Sequence, residues 1–198
     1  MNGINHADHL VQAKELSQIV VGNDRPQDGN WIGKARGLDE NRVEPAFSPC
    51  QALDDADEIV KGIETRGQRG MALPMDVTDS VSVQTASDRI CSEFGRIDVL
   101  VNSAGVGYSY QDNHPGTMDD VVNTTPEAWR EVLAINLDSG FHMCRLVIPE
   151  MQKAGGGSIV NVTSISGYQG LPGAHTYTAA KAGILGFNRH LAKEVAGY

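Results

Sequence analysis

Apolar positions along this 198-residue chain fall into two alternating rhythms from residue 52 onward. Leu53, Ala56, Ile59, Val60 and Ile63 recur at helical spacing, and Gly67 and Gly70 close that run. Met71 to Val77 reads as a strand ending in Asp76-Val77-Thr78-Asp79, where Asp79 or Ser80 is placed to cap the next helix. That helix buries Val83, Ala86, Ile90 and Phe94 and stops at Gly95. A strand over 97–101 runs into Asn102-Ser103-Ala104-Gly105. A long polar loop, 106–123, leads to Thr124-Thr125-Pro126-Glu127, a helix start with a hydroxyl cap, an early proline and an early acid. The helix it opens runs to about Lys153. It is apolar around much of its girth (Trp129, Val132, Leu133, Phe141, Leu146, Ile148, Met151), the pattern of a helix covered on two sides. A strand over 158–162 and a helix over about 176–196 complete the alternation, which predicts an α/β class with a parallel sheet.

Residues 1–50 lack this order. Ile19-Val20-Val21 is the best strand candidate, Gly22 to Asn30 holds no apolar side chain but a proline ring, and Pro45 and Pro49 are read as breakers. The segment is expected to be mostly loop. His6 and His9, three apart, are read as two solvated histidines rather than metal ligands.

Composition narrows the function classes. The formal net charge of -9 argues against nucleic acid or an anionic membrane surface as partner. No apolar run approaches the roughly 20 residues that span a bilayer. Cys50, Cys91 and Cys144 are odd in number and widely spaced, which fits a reducing cytoplasm better than a disulfide framework, and no metal site is expected.

Chemistry concentrates between 157 and 181. The apolar run Ile159 to Val162 ends in a hydroxyl-rich turn, Ser164-Ile165-Ser166-Gly167, thirteen residues before Tyr177. Tyr177 and Lys181 lie four apart on one helix face. A phenol beside an ammonium has its pKa lowered, because the cation favours the phenolate, so it is able to trade a proton near neutral pH. The Ser164 hydroxyl is placed to hold a carbonyl or alcohol oxygen. Asp76-Val77, Asn102 to Gly105 and Thr163 to Gly167 all stand at strand ends, where sheets of this kind bind ligands; Asp76 is equally readable as a helix cap or turn. Asn136, mid-helix, requires a partner for its amide, for which a local backbone bond is the plain candidate.

With Ser164-x-x-Gly167 and Tyr177-x-x-x-Lys181 in place, the chain resembles the short-chain dehydrogenase/reductase family over about 52–198. The resemblance implies a Rossmann-like doubly wound parallel sheet in a single domain, 1–198, and hydride transfer between NAD or NADP and a small-molecule carbonyl or secondary alcohol. It assigns Asn136, Ser164, Tyr177 and Lys181 as catalytic. Asp76 and Val77 would meet the adenine, and Asn102, Ala104 and Gly105, with Tyr177 and Lys181, the rest of the cofactor. Asn-Ser-Ala-Gly replaces the family's Asn-Asn-Ala-Gly. A homo-oligomer through the helices near 126–153 and 176–196 is expected. The family's glycine-rich phosphate turn is not found, since Gly29, Gly33 and Gly37 follow no clear strand, and its last strands are not found either, so the fold is expected to be incomplete at both ends. That motivates a second reading, a catalytically silent member acting at most as an association partner.

Overall fold

The computed structural model describes residues 17–23, 49–170 and 173–197. The chain divides into two compact units, Met1–Met75 and Asp76–Tyr198. His6, His9, Gly29, Gly33, Gly37 and Pro45 lie outside the described residues.

The first unit holds strand β1 (Ser17–Asn23), helix α1 (Pro49–Glu64) and strand β2 (Arg69–Met75). The Ile19-Val20-Val21 strand is present. Pro49 does not break structure: it is the first residue of α1, a position where its fixed φ is favourable and no N–H is needed. Gly67, at φ 76°, closes the turn after α1 with its N–H on Glu64 O at 2.9 Å. The pairing corrects one expectation. β1 and β2 run antiparallel, not parallel, with Ile19 opposite Leu73 and Val21 opposite Met71. The ladder runs from Ser17 opposite Met75 to Asn23 opposite Arg69.

The second unit is built on a parallel pair, β3 (Val99–Asn102) and β4 (Ser158–Asn161), in register from Val99 opposite Ser158 to Asn102 opposite Asn161. Helix α2 (Ser80–Phe94) starts where Asp79 accepts the N–H groups of Val81 and Ser82, and it ends at Gly95, φ 80°. Val83, Ala86, Ile90 and Phe94 are buried as the spacing predicts. Helix α3 (Pro126–Leu133) opens on the Thr125 hydroxyl, which accepts the Ala128 N–H at 3.1 Å. The expected single helix to Lys153 is interrupted. A wider π turn, Ala134–Asp138, separates α3 from α4 (Ser139–Lys153). Such turns insert one residue into a helix and recur at functional sites. Val132, Met143, Val147 and Met151 are buried, whereas Trp129 is 36% and Phe141 50% exposed, so one side of this helical run is covered and the other is open. Helix α5 (His175–Glu194) follows Ala174, which is fully buried and left-handed at φ 50°.

Candidate active site

Lys181 anchors the site. It lies one turn after Tyr177 on α5 and is 5% exposed. Its Nζ donates to Val162 O at 3.2 Å, just beyond β4, and stands 5.5 Å from the centre of the Tyr177 ring. Burial lowers its pKa from the ordinary 10.5, because the charged form loses water. The β4 end is tied to the same residue a second time, since the Thr163 hydroxyl donates to Lys181 O at 2.8 Å.

Ser164 follows directly. It caps a short 3-10 turn (Ile165–Gly167), its Oγ accepting the Ser166 N–H at 3.3 Å and the Ser166 hydroxyl at 3.0 Å. Gly167 then crosses the α5 backbone. A methyl group there would come within 2.9 Å of Lys181 C and 3.0 Å of Ala182 N. Thr163 and Gly167 thus hold the serine turn against α5 from both ends.

Asn136 sits within the π turn and is 2% exposed. Its Nδ2 donates to Val132 O at 3.2 Å, the local backbone bond foreseen for it. Its Oδ1 does more, accepting the Val106 N–H at 3.2 Å from the loop after β3. A Cβ on Gly105 would lie 2.7 Å from Asn136 Oδ1 and 3.5 Å from Lys181 Nζ. Gly105 is therefore the point where the β3 loop, the π turn and α5 meet.

The other expected positions are more dispersed. Asn102 Nδ2 donates to Asn161 Oδ1 at 2.7 Å, and Asn161 Nδ2 to Asn188 Oδ1 at 3.0 Å, a chain of amides from β3 through β4 to α5. Asn102 also approaches Cys144 Sγ at 3.6 Å, and burial pushes that thiol up to about 11. Ala104 and Gly105 are exposed at the strand end. Asp76 makes local bonds, its Oδ1 accepting the N–H and hydroxyl of Thr78 at 2.8 and 2.7 Å. Val77 is buried. His175 is the first residue of α5, with Nδ1 3.1 Å from Asp119 O and its ring stacked on Trp129. His114 is half-buried, while His190 is exposed.

The sequence reading placed Thr163 at a ligand-facing strand end and left out the roles of Val106, Asn161 and Asn188. These three take part through a backbone N–H or through strand register, which no spacing displays. Among the described residues no cluster of three metal-ligating side chains occurs, and no helix is long and apolar enough to cross a membrane.

A family model described as short chain dehydrogenase matches residues 46–198. The chain belongs to the short-chain dehydrogenase family. It is 40% identical over 168 residues to the 3-oxoacyl-(acyl-carrier-protein) reductase of Haemophilus influenzae, covering 83% of this chain and 66% of that protein. It is 38% identical over 130 residues to the Escherichia coli protein of the same name, covering 66% of this chain and 50% of that one. The chain thus spans half to two thirds of these curated relatives. Among solved structures, it is similar to a short-chain dehydrogenase from Streptomyces avermitilis (TM-score 0.62, 29% identity, 74% of this chain and 49% of that one).

Proposed function

We propose that this chain is an NAD(P)-dependent oxidoreductase that interconverts a carbonyl and a secondary alcohol. The observation that carries the reading is the meeting of Asn136, Lys181 and the Tyr177 helix around Gly105. Ser164 orients the substrate oxygen. Tyr177 gives its phenolic proton to that oxygen in reduction and takes it back in oxidation. The buried Lys181 ammonium stabilises the phenolate left behind. Asn136 positions the Gly105–Val106 backbone and keeps the amide side of the site fixed.

The residues present fit a nicotinamide cofactor. Lys181 spends one of its three N–H groups on Val162, leaving donors for ribose hydroxyls, and Gly105 keeps the adjacent backbone free of a side chain. Asn102 and Ala104 line the same strand end, with Asp76 and Val77 as the adenine side. When bound, NAD(P)H supplies the hydride and NAD(P) accepts it. The names of the relatives favour a 3-oxoacyl thioester as substrate class. Assembly of a second copy on the open side of the 126–153 run, where Trp129 and Phe141 are exposed, and on α5 belongs to the same reading.

The test is a fluorescence titration of the purified chain with NADH and NADPH, followed by turnover of acetoacetyl-coenzyme A. Saturable binding of one nucleotide with turnover is expected. A folded chain that binds neither overturns the proposal in favour of the silent association partner.

A further inference from the structure

The loop over 106–125 is fastened at a place the reaction does not use. Glu131, on α3, meets two loop side chains at one oxygen. The Tyr110 hydroxyl donates to its Oε1 at 2.5 Å, and His114 Nδ1 lies 3.0 Å from the same atom. The two loop rings stack on each other, 3.9 Å between centroids and 10° from parallel. Burial, helped by the neighbouring carboxylate, holds the Tyr110 phenol well above its ordinary range, so it remains a donor.

A second set of bonds continues the fastening. Gln111 Oε1 accepts the Met118 N–H at 3.0 Å, and Met118 O accepts the Ala174 N–H at 3.3 Å. Ala174 begins the turn into Tyr177. Met118, Val132 and Ala174 form a buried apolar floor, and both Tyr110 and Tyr177 pack against it. The two tyrosines therefore share one support, and Glu131 fixes the first of them.

We propose that Glu131 is a positioning residue: through Tyr110 and the Met118–Val132–Ala174 floor it sets the placement of Tyr177, and it makes the 106–125 loop a fixed wall of the site rather than a closing lid. The inference rests on Tyr177 as the proton donor, but its test does not require turnover.

The chain is labelled with tyrosine carrying carbon-13 at Cζ, and the Tyr177 resonance is assigned with Tyr177→Phe. Glu131→Ala, Glu131→Gln and Tyr110→Phe are compared by this resonance and by amide hydrogen exchange. Glu131→Gln keeps an oxygen that accepts the Tyr110 hydroxyl. Glu131→Ala and Tyr110→Phe remove that bond. The expected result is a shifted or broadened Tyr177 resonance in both, with exchange three- to ten-fold faster across 106–124 and unchanged in α4. Glu131→Gln should return both readouts to near the wild type. An unmoved Tyr177 resonance in Glu131→Ala overturns the inference, as does faster exchange spread evenly over all helices in Tyr110→Phe. Where the chain turns over acetoacetyl-coenzyme A, Glu131→Ala should lower kcat by more than it raises KM, because the displaced group is the proton donor. An inactive chain with the expected resonance pattern would sink the oxidoreductase reading and leave the role of Glu131 standing.

Discussion

Gly105 faces Asn136 so closely that a single added methyl group would lie 2.7 Å from the amide oxygen. That oxygen is already engaged with the Val106 N–H, and the side chain bearing it is buried, so it has no room to retreat. Gly105→Ala should cost about 1–3 kcal/mol of stability by overpacking. Thermal melts of Gly105→Ala, Asn136→Ala and the double variant check the origin of the cost. Strong non-additivity is expected, because removing the amide makes room for the methyl group. Simple addition would show that the two residues do not compete for space.

Tyr177→Phe removes one oxygen from a half-buried ring. Folding should be unaffected within about 0.5 kcal/mol. Carbonyl reduction should fall by about 10²–10⁴, the usual worth of a positioned proton donor. Wild-type turnover in a folded Tyr177→Phe chain would remove this residue from the chemistry.

Lys181 links stability to pH in a direction set by its burial. Its pKa is lowered in the folded chain relative to the ordinary 10.5, so the unfolded chain binds this proton more tightly. Below the lowered value both states are charged, and the full cost of burying the charge is present. Between the lowered value and 10.5 stability rises with pH, and above 10.5 the cost is gone. Subtracting the melting temperature of Lys181→Met from that of the wild type should therefore give a difference that climbs through this alkaline window. A flat difference would mean that the ammonium is not desolvated.

Two glycines near and within α5 should respond oppositely to the same change. At Gly167 an alanine methyl would meet backbone atoms of Lys181 and Ala182 at 2.9–3.0 Å, and the α5 backbone is not free to yield. Gly167→Ala should lose about 1–3 kcal/mol and disturb the Ser164 turn. At Gly186 nothing lies within 4 Å of the new methyl, so Gly186→Ala should gain about 0.5–1 kcal/mol from helix propensity. Urea melts of the two variants decide the matter, and equal effects would contradict the close crossing at Gly167.

The elements of the site were readable wherever one stretch of chain carries the signal. Tyr177 and Lys181 share a helix face, Ser164 ends an apolar strand, and Asp79 and Thr125 cap the helices they precede. What escaped reading depends on distant segments. The Asn102–Asn161–Asn188 chain exists because β3 and β4 pair in one register, which neither strand encodes alone. The antiparallel direction of β1 was hidden because a short apolar run such as Ile19-Val20-Val21 looks the same in either orientation. Pro49 was read as a breaker, although the first turn of a helix has no need of its missing N–H. The π turn leaves no mark in residue type, and with it the contact from Asn136 to Val106 was invisible.

The π turn also governs how this chain tolerates changes of length. Each residue advances a helix by about 100°. Deleting one residue between Ala134 and Asp138 would remove the inserted residue and restore regular winding, leaving the later side chains of α4 close to their present facing. Met143, Val147 and Met151 would stay in the core, but Asn136, inside the turn, would lose its aim at Val106. A deletion further on, within α4, has no such turn to absorb it and would rotate the rest of that core face by about 100°.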